Sequence, residues 1–141
     1  MESPMPLQAP PAALPPAIDQ ACVFDSNAEA VSLEQLPAAI QLDLKQRAPG
    51  LSPASGAFNA SDIGYGPRTR FIAAARLNTR YVVAYEHGGR GYHVDLLTYD
   101  TSVSDLAPRD RRTMSDKPGC GVLTEALNAP LPAQPYTGPY W

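Results

Sequence analysis

The sequence lacks most of the patterns that identify an enzyme or a nucleic-acid-binding protein. Its 141 residues contain no nucleophile elbow, no phosphate-binding glycine loop and no HExxH zinc-protease pattern. Its formal net charge is −3, so the basic surface that attracts nucleic acid is missing. No stretch is long and apolar enough to cross a membrane. With 44% apolar and 18% charged residues, the composition is that of a globular domain, for which we predict no cofactor.

Cysteine is also scarce, since the chain contains Cys22 and Cys120 alone. Neither belongs to a CxxC pair, so their spacing fits no zinc site. A disulfide between them would close almost the whole domain and contribute about 4 to 5 kcal/mol in the loop-entropy model. Two separate buried thiols and one reactive thiol are the alternatives. We predict the disulfide, and hence a periplasmic or secreted location, which requires that a signal peptide has been removed.

Residues that favour strands are most concentrated between Phe71 and Asp100, a segment that also contains both histidines. We predict three antiparallel strands, at residues 71–77, 81–87 and 92–99. Asn78, with its tolerance of left-handed backbone, opens a three-residue connection between the first two. The glycine-rich turn 88–91 joins the last two.

The register of these strands decides which side chains are buried. With a four-residue turn at 88–91, Glu86 lies opposite His93, on a face that is polar near the turn. The other face, which includes Tyr85, is expected to be buried. A two-residue connection before the second strand would turn the first strand over and bury Arg70 and Arg76. Burial therefore favours the three-residue connection.

One helix is predicted at residues 37–48. Pro37 suits the first turn, where its missing N–H costs nothing, and Pro49-Gly50 ends the helix. Leu36, Ile40 and Leu44 recur every four residues and form an apolar stripe. We expect this stripe to pack on the buried face of the sheet.

These elements predict one domain of the α+β class, with one main helix packed on an antiparallel meander of three to four strands. The domain is expected to span residues 21–129, between proline-rich tails at 1–20 and 130–141. Within it, residues 51–70 are expected to form a loop anchored by Phe58 and Ile63. Residues 101–119 are expected to form a solvated, charged loop. A short helix is expected at 121–128.

The best candidate for chemistry is the polar face of the predicted hairpin, which carries Glu86, His93 and Asp95. A carboxylate beside a histidine can tune a general base, and both residue types bind metals. Ordinary surface pairing is the simpler interpretation. His87 and His93 are expected on opposite faces, which argues against a shared metal. We therefore predict no catalytic residue and no metal site.

The seven tyrosines exceed what the core of so small a domain needs. Tyrosine and arginine are typical anchors of protein interfaces, although tyrosines also line core edges with their hydroxyls in water. We predict a partner-binding surface around the hairpin tip and the Tyr65 loop. Its predicted contact residues are Glu86, Arg90, Tyr92, His93, Asp95 and Tyr65.

The run Leu36–Ile40 (LPAAI), the Pro49-Gly50 stop and the alternating strands that follow resemble the small PepSY-like domains of the bacterial envelope. Beta-lactamase inhibitory proteins have a related layout. The resemblance covers residues 31–100 and implies an envelope location with inhibitory or binding roles. Small periplasmic immunity proteins are similar in size, charge and cysteine usage.

We therefore expect a non-enzymatic module of the periplasm or envelope that binds a protein, such as an inhibitor or an immunity protein neutralising a secreted toxin or hydrolase. One alternative is a small hydrolase or metal-dependent enzyme centred on Glu86, His93 and Asp95. Another is a structural subunit of the envelope.

Overall fold

The computed structural model describes residues 24, 27–61, 63–103, 107–132 and 136. Within these ranges the chain forms five β-strands and two α-helices. The strands are Glu29–Val31 (β1), Thr69–Leu77 (β2), Arg80–His87 (β3), His93–Asp100 (β4) and Asp110–Met114 (β5). The helices are Ala38–Arg47 (α1), which follows a 3-10 turn at Leu33–Gln35, and Cys120–Asn128 (α2).

The strands form one antiparallel sheet in chain order, β1-β2-β3-β4-β5. This confirms the α+β class and the antiparallel meander, although the sheet is larger than the predicted three to four strands. Each face of the sheet packs against one helix, and we name the faces after them. The sheet is therefore the middle of three layers. The prediction of one main helix is not confirmed, because α1 and α2 each cover one face of the sheet.

On the α1 face, the predicted apolar stripe forms the core. Leu36, Ile40 and Leu44 are at most 3% exposed and pack against the sheet. Their partners include Val83, Leu97 and Tyr99. Ser32 and Gln35 form a capping box, but it caps the 3-10 turn and not α1.

On the α2 face, a second core is formed by Leu123, Ala126 and Leu127. These pack against sheet residues that include Ile72, Val82, Ala84 and Leu96. Arg80 Nη1 also donates hydrogen bonds to three carbonyl oxygens at the end of α2. These bonds satisfy backbone acceptors that a helix end leaves open.

The predicted β3–β4 register is wrong by one residue. The turn has five residues, 88–92, so His87 pairs with His93 and Glu86 with Val94. Glu86 and His93 consequently lie on opposite faces of the sheet. Gly89 and Gly91 both have positive φ angles, which the longer turn requires.

The predicted β2–β3 connection is also wrong. Leu77 pairs with Arg80, so the connection has two residues, and Asn78 has the expected left-handed conformation with a φ of 56°. As predicted for a two-residue connection, the strand is turned over from Ala73 to Leu77, but Arg76 is not buried, since its side chain is 38% exposed. A bulge between Phe71 and Ala73 then returns Phe71 to the α1 face and places Arg70, which is fully buried, opposite Glu86 on the α2 face.

The charged segment 101–119 is not only a loop, because β5 lies within it. Its charges are paired: Arg111 with Asp95 of β4, and Arg112 with Glu125 of α2. The charged composition of this segment indicated a loop, but two arginines of β5 have partners on neighbouring elements, so the segment can form a strand of the sheet.

The predicted tail at 1–20 and Cys22 lie outside the described residues, as does most of the predicted tail at 130–141. Cys120 begins α2, and its disulfide with Cys22 stays a prediction. None of the helices in the described ranges has the length and apolar character to cross a membrane.

Candidate functional site

The loop at residues 59–68 is organised around the side chain of Asn59, which is 2% exposed. Its Nδ2 donates to the carbonyl oxygens of Ile63 and Tyr65, at 2.8 and 3.0 Å. Its Oδ1 accepts from the backbone N–H and the hydroxyl of Ser61, at 2.9 and 2.8 Å. One buried amide therefore fixes both arms of the loop, with residue 62 outside the described part.

Arg68 strengthens the same loop from its far end. Its Nε donates to the carbonyl oxygen of Ser61 at 2.9 Å, and its Nη2 to that of Gly64 at 3.2 Å. Gly64 and Gly66 have φ angles of 85° and 108°, which other residues rarely adopt. The loop thus has a defined backbone, although its described residues form no helix or strand.

This loop is joined to the β3–β4 turn. The N–H of Gly88 donates to the carbonyl oxygen of Arg68 at 2.7 Å, and that of Gly89 to Ala60 at 3.0 Å. A Cβ at position 88 would lie 2.2 Å from the carbonyl oxygen of Asn59, so glycine permits this close approach. Residues 59–68 and 88–92 therefore form one continuous surface, which we call the loop face.

The loop face exposes large apolar side chains. Tyr65 is 89% exposed and Ile63 is 78% exposed, the highest values for large hydrophobic residues in the described part of the chain. Arg90 at the turn is exposed as well. Ile63 therefore does not anchor the loop as predicted, whereas Phe58 does, being 1% exposed.

Below the turn, on the α2 face, Glu86 and Arg70 form a buried ion pair. Glu86 Oε2 lies 2.6 Å from Arg70 Nε, and their side chains are 0% and 1% exposed. Tyr92 donates its hydroxyl to Glu86 Oε1 at 2.9 Å. Burial and this bond raise the pKa of Tyr92. Glu86 and the Tyr92 hydroxyl thus hold the turn in place, and Glu86 has no exposed surface to offer a partner.

On the α1 face, His87 and His93 stack with their ring centroids 4.9 Å apart and 14° between the ring planes. The prediction that they occupy opposite faces is wrong, because the register is shifted by one residue. Asp95 lies next to them, with Oδ2 3.4 Å from His93 Nε2. Arg111 donates twice to Asp95 Oδ1, at 3.0 and 2.9 Å. This carboxylate is 0% exposed and is matched by a cation.

The predicted constellation of Glu86, His93 and Asp95 is therefore not assembled, because the sheet separates Glu86 from the other two. Within the described ranges, no group of three or more His, Cys, Asp or Glu residues is placed to hold a metal ion. Two of the six predicted contact residues, Tyr65 and Arg90, are exposed together on the loop face.

The sequence reasoning overlooked Asn59 and Arg68, which hold the loop, and assigned Ile63 to the interior. A partial signal was present in the Gly64-Tyr65-Gly66-Pro67 cluster, which is typical of a fixed turn conformation. Nothing local showed that the Asn59 amide would be buried beneath it.

Comparison with protein-family models, with curated proteins and with solved structures gave no match to this chain. The resemblance to PepSY-like envelope domains therefore stays a prediction.

Proposed function

We propose that this protein is a non-enzymatic protein-binding module that uses its loop face to engage a partner protein. The observation that carries this proposal is the exposure of Ile63 and Tyr65 on a loop whose backbone is fixed by hydrogen bonds from the buried Asn59 side chain. Exposed apolar side chains grouped on a fixed surface are typical of interaction sites. A loop that is already ordered loses little further entropy on binding.

The chemistry of the loop face defines the kind of partner. Tyr65 and Ile63 fit an apolar pocket, and burying the isoleucine alone would contribute about 1.5 to 3 kcal/mol. Arg68 lies on the same surface and donates to carbonyl oxygens of the loop, so a carboxylate at the rim of the pocket would be complementary to its charge. We infer a partner with a concave apolar site, as expected of an inhibited enzyme or a neutralised toxin. The predicted disulfide supports an envelope or secreted location.

The test is affinity capture from envelope and secreted fractions of the source organism, followed by measurement of the affinity for the captured protein. Tyr65→Ala should weaken binding by about 30-fold or more, as expected for an interface hot spot. Leu42→Ala is the matched control, because Leu42 is 61% exposed on α1, outside the loop face. Its affinity should stay within about twofold of the wild type.

Two results would oppose the proposal. One is that no protein is captured by the wild type, and the other is that Tyr65→Ala binds as tightly as Leu42→Ala. The alternative of a structural envelope subunit depends on the tails, which lie mainly outside the described residues.

A further inference from the structure

We propose that the stacked pair His87–His93 makes the loop face respond to pH, holding it in its binding conformation near neutrality and releasing it in mildly acidic solution. This inference rests on the proposed function, because it concerns the regulation of the same surface. The pair contains both histidines of the chain. Histidine is the side chain whose ordinary titration lies in this pH range.

The position of the pair couples it to the loop face. His87 and His93 are the last paired residues before the turn at 88–92. The amide groups of Gly88 and Gly89, next in the chain, bind the carbonyl oxygens of Arg68 and Ala60. Movement of the two rings apart would therefore open the turn and remove the support of the 59–68 loop.

The contacts of the two rings with their neighbours and with each other disfavour a positive charge on both. His93 Nδ1 lies 3.1 Å from the Gly91 carbonyl oxygen, and Nε2 lies 3.4 Å from the Asp95 carboxylate. Both neighbours are acceptors, so only the doubly protonated ring can donate to each. A second charge on His87, stacked 4.9 Å away, would then be repelled by the first.

The residue opposite His87 on β2 provides no negative charge to balance a second proton. Its partner across β2 is Thr69, which is uncharged and 5% exposed. On β4, Asp95 is attractive, but Arg111 of β5 donates twice to its Oδ1, and its Oδ2 lies next to the other ring, 3.4 Å from His93 Nε2. His87 Nδ1 is occupied by the Gly88 carbonyl oxygen at 2.9 Å.

The electrostatic environment acts in the same direction. Burial lowers the pKa of His87 below its ordinary value of 6.5, and His93 and Arg111 lower it further, against the opposing effects of the Gly88 carbonyl and Asp95. The folded protein therefore binds fewer protons than the unfolded chain in this range. The contribution of His87 to the free energy of unfolding is fully present above about pH 6.5. It is lost as the pH falls towards the lower pKa of His87 in the folded state.

The experiment measures amide hydrogen exchange by NMR on the full chain at pH 7.5 and 5.5, corrected for intrinsic exchange rates. Protection of the Gly88 and Gly89 amides should fall about three- to tenfold more than that of the core amides of Val83 and Leu97. About tenfold is the most that one histidine with an ordinary pKa of 6.5 can contribute between these pH values. His87→Phe keeps an aromatic ring on His93 but cannot take a proton, so its protection should change less than about twofold.

Equal protection of the wild-type turn at both pH values would overturn the inference, as would an equal loss in His87→Phe. If that variant does not fold, His87→Gln replaces it, with the same expectation and the same contrary result. No partner is needed, so this inference and the proposed function fail separately. If the turn depended on pH but Tyr65→Ala bound the partner as tightly as the wild type, the pH inference would stand and the proposed function would be rejected.

Discussion

The buried ion pair between Arg70 and Glu86 gives the sharpest prediction about this fold. Glu86→Ala would leave the Arg70 guanidinium, which is 1% exposed, without its carboxylate. Removing one partner of a buried pair typically costs about 3 to 5 kcal/mol, because the remaining charge is not compensated. Arg70 would keep its bond to the Gly56 carbonyl oxygen and its contact with the Phe58 ring. We therefore expect about 3 kcal/mol, the lower end of the range.

The free energy of unfolding is measured by urea denaturation at pH 7, followed by circular dichroism. For a domain of this size the same change corresponds to a fall in Tm of about 10 to 20 °C. Glu29→Ala is the matched control, because Glu29 pairs with Arg76 at 2.6 Å on the surface, where the side chains are 56% and 38% exposed. Its loss should cost less than about 1 kcal/mol.

The double variant Arg70→Met/Glu86→Leu separates the charge from the packing. With both charges replaced by apolar groups, stability should return to within about 1 to 2 kcal/mol of the wild type. The reasoning would be refuted if Glu86→Ala cost less than about 1 kcal/mol. It would also be refuted if the double variant were as unstable as the sum of its single changes.

Two further predictions concern the turn and the cysteines. Gly88→Ala should cost about 1 to 3 kcal/mol and shift NMR signals across the loop face, because its Cβ would lie 2.2 Å from a loop carbonyl oxygen. Gly121→Ala in α2, where a Cβ meets nothing within 4 Å, should be neutral or stabilising, and equal effects of the two would contradict this explanation. Alkylation under non-reducing denaturing conditions should leave Cys22 and Cys120 unmodified by intact mass, and both should react after reduction. An adduct without reduction would reject the disulfide.

The sequence by itself determined where most elements lie. The four-residue spacing of Leu36, Ile40 and Leu44, with Pro49-Gly50 after it, located α1 to within a residue of Ala38–Arg47. The clusters of strand-forming residues located β2, β3 and β4 to within two residues. Helix and strand preferences depend on residues close together in the chain, so the position of an element can be predicted from its own segment.

The tertiary structure alone decided how the strands pair and hence what the loop face presents. From the sequence, burial of Arg70 is not expected, because an unpaired charge in a core is unfavourable. Glu86, 16 residues away, compensates that charge by forming the ion pair. The turn at 88–92 is likewise fixed by carbonyl oxygens of the 59–68 loop. The register of paired strands depends on contacts between residues far apart in the sequence, and local sequence patterns do not predict those contacts.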